Sequence, residues 1–133
     1  MNSKVNAGVL LLVFTTAVLT GGANLLMRHG LVQAGGLHLS GDGASGVALR
    51  LARQWTFDAG LIGYVLSTIV WFKVLSIAEV STTYPILVGF TFSLVTLGAV
   101  IWFRELITAV KIAGLVLILL GIVLIASGQR RAR

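Results

Sequence analysis

Residues 80–103 read VSTTYPILVGFTFSLVTLGAVIWF, twenty-four consecutive positions without a charged side chain. About 20 apolar residues in a helix rising roughly 1.5 Å each suffice to cross a hydrocarbon core of about 30 Å. This stretch is therefore read as a membrane span over 81–103. The rest of the chain repeats the pattern on both sides. Residues 5–27 are free of charge between Lys4 and Arg28, 59–78 are interrupted only by Lys73, and 108–127 only by Lys111. The spacing predicts an all-α membrane protein with four transmembrane helices forming a single domain over 1–133. The short connections after the second and third spans make successive helices antiparallel neighbours.

Composition agrees with this reading. Of 133 residues, 57% are hydrophobic and 11% charged, against about half and a quarter in ordinary soluble domains. Mean hydropathy is +1.01. Four acidic residues, two histidines and no cysteine leave too little for a metal site, a disulfide framework or a nucleophile backed by a base. Neither a cofactor nor enzymatic chemistry is expected. The formal charge of +6 suits membrane interfaces and anionic head groups better than nucleic acid, which needs a basic patch on a soluble surface.

Residues 28–58 form the exception, a glycine-rich connection whose first half reads as a loop. Its second half places Val47, Leu51 and Trp55 at helical spacing with Arg50, Arg53 and Gln54 turned away. That is the pattern of a short helix in the head-group plane, and equally that of a solvated basic connector. Gly41-Asp42-Gly43 lacks the strand and the further glycine of a phosphate loop. With four spans, Lys4, Lys73, Arg130, Arg131 and Arg133 fall on one side and Arg28, Arg50, Arg53, Arg104 and Lys111 on the other. The positive-inside rule gives no instruction from such a balance, which leaves parallel and antiparallel pairing both open.

Candidate binding residues lie on three helices. Thr16, Thr20, Asn24 and Arg28 recur every fourth position and share a stripe of the first helix. An unpartnered amide is costly in hydrocarbon, so the stripe should face protein or a hydrated groove. The threonines read chiefly as hydrogen-bonding glue between helices. Asn24 with Arg28 could hold a phosphate through several donors, or Arg28 could snorkel to lipid head groups. The second span adds Tyr64, Ser67, Thr68 and Trp71, followed by Lys73, which either snorkels or supplies a second cation. The third contributes Tyr84 and a small polar face of Gly89, Ser93 and Thr96, with Pro85 placed near its first turn. Gly114, Gly121 and Gly128 recur at intervals of seven in the fourth, a smooth seam suited to packing between subunits. No Asp or Glu falls within a span, so a proton-coupling carboxylate is missing.

This layout resembles the small multidrug resistance type within the drug/metabolite transporter (EamA-like) superfamily. Residues 83–87, TYPIL, followed by 92–97, FSLVTL, are similar to the AYPxLS…FVxVTL pattern of aminoarabinose-phosphoundecaprenol flippase subunits. Trp102-Phe103-Arg104-Glu105 is similar to the aromatic end of the third helix and the glutamate after it in the wider superfamily. Gly114 and Gly121 resemble the dimer-forming fourth helix, and residues 22–28, GANLLMR, resemble the first helix of the flippase subunits. The multidrug exporters of this type carry a glutamate where this chain has Thr20 and a tryptophan where it has Leu87. Both differences point away from cation/proton antiport.

The resemblance implies a bacterial inner-membrane flippase subunit, multi-pass, working as a homodimer or with a similar small subunit. Its cargo would be a polyprenyl-phosphate sugar, and it would act in lipopolysaccharide modification. Thr16, Thr20, Asn24, Arg28, Tyr64, Thr68, Trp71, Lys73 and Tyr84 are then the substrate-binding candidates. Two other readings remain: an exporter of small cations, and a non-transporting membrane subunit of a glycosyltransferase system.

Overall fold

A computed structural model describes residues 6–37 and 43–131. They form five helices, α1 (Ala7–Gln33), α2 (Gly43–Leu51), α3 (Trp55–Ile77), α4 (Val80–Phe103) and α5 (Ala109–Arg131). The helices α1, α3 and α4 are long and apolar enough to cross a membrane, whereas the apolar stretch of α5, Ala109–Ile125, is shorter. Residues 41 and 42 of the Gly-Asp-Gly sequence lie outside the described residues.

α1 is the central helix. Asn6 caps its start, the side-chain oxygen accepting from the Val9 N–H at 2.9 Å. This satisfies one of the donors that every helix leaves open at its first turn. α3 runs antiparallel to α1 and α4 parallel to it, both packing on α1, while α5 rests chiefly on α4. At the end where α1 begins, Val9 and Val13 bury against Val74, with Leu12, Trp71, Ala78, Ile86 and Leu87 around them. Higher up, the Phe14 and Phe90 rings meet edge to face at 5.6 Å. Most other large apolar side chains of the bundle point outward, as expected where the surrounding solvent is lipid.

The first helix is longer than its charge-free run. It continues through Arg28 and His29 to Gln33, so 28–33 is helix rather than loop. The reason is tertiary. Gly30, which reads as a loop residue, lies under α3, where an added Cβ would sit 2.7 Å from the Phe57 nitrogen. The glycine serves close approach, not a turn. The helix ends in paired reverse bonds, Gly36 N–H to Leu31 O and Gly35 N–H to Val32 O, with both glycines at positive φ.

Further placements differ from the sequence reading, among them the end of α5, which runs to Arg131 rather than 127. α3 begins at Trp55 rather than 59, which brings Asp58 into its first turn, where a negative side chain suits the helix dipole. Trp55 therefore does not belong to the short basic helix. That helix ends at Leu51, with Val47 buried beneath it, and Trp55 is 74% exposed. Pro85 lies past the first turn of α4, so it deprives the Ser81 carbonyl of an intrahelical bond, a loss that membrane helices tolerate.

Candidate functional site

Between α1, α3 and α4 lies a cavity of about 400 Å³ at mid-bundle. α1 lines it with Thr16 and Thr20, α3 with Tyr64, Ser67, Thr68 and Trp71, and α4 with Tyr84, Leu87, Val88, Thr91, Phe92 and Val95. The α3 residues follow the three-to-four spacing that keeps side chains on one helical face. The α4 residues do the same. Tyr64 and Tyr84 are about half exposed, so the cavity opens outward between α3 and α4. Trp71 and Tyr84 form its aromatic side, their ring centroids 5.9 Å apart and the planes tilted by 55°.

Its hydroxyls are organised by hydrogen bonds across the α1–α3 contact. Ser67 donates to the Thr16 carbonyl at 3.1 Å. Its hydrogen being thus used, Thr20 donates in turn to the Ser67 oxygen. Thr16 and Thr68 bond back to the carbonyls of Leu12 and Tyr64. The Thr91 hydroxyl, by contrast, is buried without a partner among the described residues. The Thr20 hydroxyl and the Thr16 backbone carbonyl thus join α1 to α3 through Ser67, while the Thr16 hydroxyl stays within its own helix. Both threonines also line the cavity.

Six of the nine candidate binding residues line this cavity, and three do not. Asn24 donates to the Thr20 carbonyl at 3.0 Å and is half-buried one turn beyond the cavity. Arg28 lies further on still, because eight residues of helix are about 12 Å of rise from Thr20. The stripe also winds: four residues are about 400° of rotation, so three such steps turn Arg28 through roughly 120° relative to Thr16. That rotation carries Arg28 to the end of α4, where its guanidinium pairs with Glu105 and lies 4.4 Å from the centre of the Phe103 ring. Lys73 follows Trp71 by two residues, about 200° around α3. It is exposed, near the opposite end of the bundle.

Ser67, Thr91 and Glu105 stand outside those nine. Ser67 is legible in the sequence, since it completes the spacing of Tyr64 and Trp71. Glu105 is not, because its position depends on the turn after α4. Arg104 there adopts the left-handed conformation (φ 51°, ψ 37°), and the Glu105 N–H reaches back to the Ala99 carbonyl at 3.4 Å. A non-glycine residue in that region costs about 1–3 kcal/mol. The turn folds Glu105 back over the α1–α4 contact, onto Arg28.

The glycines of α5 make no close contact within the described chain. A Cβ added at Gly114, Gly121 or Gly128 would have no atom within 4 Å outside its own helix. The close contact between α4 and α5 is made instead by Gly89, over which Ile122 packs. A second space of about 310 Å³ lies between these helices and the turn joining them, with Phe92, Thr96, Glu105, Lys111, Gly114 and Ile118 in its lining.

Comparison with known proteins gives a consistent result. The chain is 35% identical over 112 residues to a Yersinia enterocolitica protein named "Probable 4-amino-4-deoxy-L-arabinose-phosphoundecaprenol flippase subunit ArnF", covering 83% of this chain and 87% of that one. The protein of the same name from Serratia proteamaculans is also 35% identical over 112 residues, covering 79% of this chain and 82% of its own length. The Photorhabdus laumondii protein of that name is 36% identical over 69 residues, 51% of this chain and 55% of that one. No family model matches the chain. No solved structure matches it either.

Proposed function

The chain belongs to the family of ArnF flippase subunits, and on that premise we propose that it moves a polyprenyl-phosphate-linked aminosugar between the leaflets of a bacterial inner membrane. The observation that carries the cargo assignment is the family membership, joined to a half-open cavity whose walls suit a sugar. Hydroxyls from Thr16, Thr20 and Thr68 offer lone pairs, while Tyr64, Trp71 and Tyr84 offer aromatic faces and polar tips for stacking and hydrogen bonding. The sugar sits in this space and the polyprenyl tail remains in lipid beyond the exposed edge. At a separate stage of the passage, before or after the sugar occupies the cavity, Asn24 and Arg28 meet the phosphate at the end of the bundle where α1 and α4 terminate, and Lys73 serves the interface at the other end.

In this reading the protein has four spans, α5 being the fourth, and α2 lies in the head-group plane with Val47 against the bundle. The whole chain is one transmembrane domain. α5 presents Gly114, Gly121 and Gly128 to a second small subunit, either another copy or a similar chain, a reading supported by the open space that an added Cβ would meet at each of them. The role is transport rather than catalysis. Asp58, Glu79 and Glu105 stand at helix ends, and none of them lines the cavity. Net movement is therefore driven by supply of the lipid-linked sugar in one leaflet and its consumption in the other.

The test is flipping of a fluorescent short-chain polyprenyl-phosphate aminosugar in liposomes, with the purified protein alone and with its partner subunit. Lipid movement that is lost in Trp71→Ala and Arg28→Ala, while both variants still insert, is the expected result. Wild-type flux in both variants, or cation efflux without lipid movement, would overturn the proposal.

A further inference from the structure

Arg28 is the cation placed to meet the cargo phosphate, yet its guanidinium already holds an anion of this same chain. We propose that Glu105 is a displaceable stand-in for that phosphate, a positioning residue that sets how tightly Arg28 grips the cargo and how readily it lets go. The inference rests on the flippase reading and extends it to the exchange of the phosphate group.

The contact is built to be exchanged. One carboxylate oxygen of Glu105 meets one terminal nitrogen of Arg28, whereas a guanidinium carries five N–H donors arranged as a planar fork. One carboxylate cannot occupy all five, and 47% of the Arg28 side chain and 32% of the Glu105 side chain are still exposed. Phe103 holds the guanidinium through its ring face, 4.4 Å away, and so uses none of its donors. An incoming phosphate can then accept from the unused donors before the carboxylate leaves, and the group stays positioned throughout.

The local backbone is arranged around this contact. Glu105 reaches Arg28 because Arg104 takes up the left-handed conformation at the end of α4. Strain of that kind persists where the surrounding structure over-determines it. Its consequence is a carboxylate presented to the one arginine of α1. A bare guanidinium there would hold a phosphodiester firmly and release it slowly. With Glu105 beside it the site is close to neutral, so capture is weaker and release is assisted by the carboxylate returning. A carrier needs both steps.

The experiment compares wild type with Glu105→Gln and Glu105→Asp. Farnesyl phosphate binding is measured in a phosphate-free maltoside detergent, and flipping of the short-chain polyprenyl-phosphate aminosugar in liposomes. Removing a partly exposed ion-pair partner changes affinity by roughly two- to fivefold. Glu105→Gln should therefore bind farnesyl phosphate that much more tightly, with both KM and kcat for flipping reduced, and Glu105→Asp should restore part of the turnover. An unchanged or raised KM together with a lowered melting temperature would overturn the proposal, leaving Glu105 a structural brace. Tighter binding abolished by phosphatidylglycerol would overturn it too, since bulk head groups rather than cargo would then occupy Arg28. If wild type moves no lipid at all, the flippase reading fails, whereas the binding measurement still decides whether Glu105 competes with phosphate.

Discussion

Replacing Gly60 by alanine should separate α3 from α1. A Cβ at that position would lie 2.6 Å from Met27 Cγ, 2.8 Å from the Ala23 carbonyl oxygen and 2.8 Å from the Met27 nitrogen. The methionine side chain can turn aside, but the two backbone atoms cannot. Restoring an ordinary contact near 3.4 Å requires a displacement of about 0.6 Å, over which neighbouring atom pairs lose a quarter to a half of their dispersion attraction. Overpacking of this kind costs about 1–3 kcal/mol, offset by up to about 1 kcal/mol because alanine is the better helix former. The expected net loss is about 1–2 kcal/mol. Gly63→Ala supplies the control on the same helix, because its new Cβ would stand 3.5 Å from the Ala23 Cβ. That variant should be neutral or more stable by up to about 1 kcal/mol. Unfolding of both in mixed micelles, followed by tryptophan fluorescence against denaturant, measures the difference. Equal stability of the two would refute the reasoning, because α1 and α3 would not then approach backbone to backbone at Gly60.

Asn6→Ala removes the side-chain acceptor of the Val9 N–H and should cost about 1 kcal/mol. The loss should show as faster hydrogen exchange confined to the first turn of α1; unchanged exchange would mean that the cap contributes nothing. A double-mutant cycle of Thr20→Val and Ser67→Ala should give a coupling of roughly 0.6 kcal/mol, the average for interhelical hydrogen bonds in membranes. Additive effects would show that the two hydroxyls do not bond. Gly121→Ile should leave the protomer's fold intact, since no atom outside α5 lies within 4 Å of the new Cβ. It should weaken association with a second subunit about tenfold, or about 1.4 kcal/mol, read by energy transfer between labelled subunits in liposomes. Unchanged transfer would place the subunit contact elsewhere.

The spans are legible because in lipid an unbroken apolar run has essentially one solution, a helix whose backbone bonds are all internal. Ends are harder to read. α1 carries Arg28 and His29 past its apolar limit because α3 lies over Gly30, which meets Phe57 from far along the chain. No local pattern encodes that contact. Most of the cavity follows from three-to-four spacing, which gathers Tyr64, Thr68 and Trp71 on one face of α3. The same geometry applied to α1 over three steps accumulates rotation, and so Thr16 reaches the cavity while Arg28 does not. Lys73 breaks the spacing of its own helix, a discrepancy that counting residues from Trp71 is enough to reveal. Glu105 is the opposite case, since its position follows from a backbone turn at Arg104 that residue type does not favour.

Phe92 lines both the mid-bundle cavity and the space between α4 and α5. α4 thus presents one aromatic side chain to both spaces, so a shift of this helix changes the lining of both. α5 meets the bundle chiefly through α4, so a tilt imposed on it from outside is transmitted first to the helix that carries Phe92. What leans on α5 is thereby coupled, through α4, to the room available in the mid-bundle cavity.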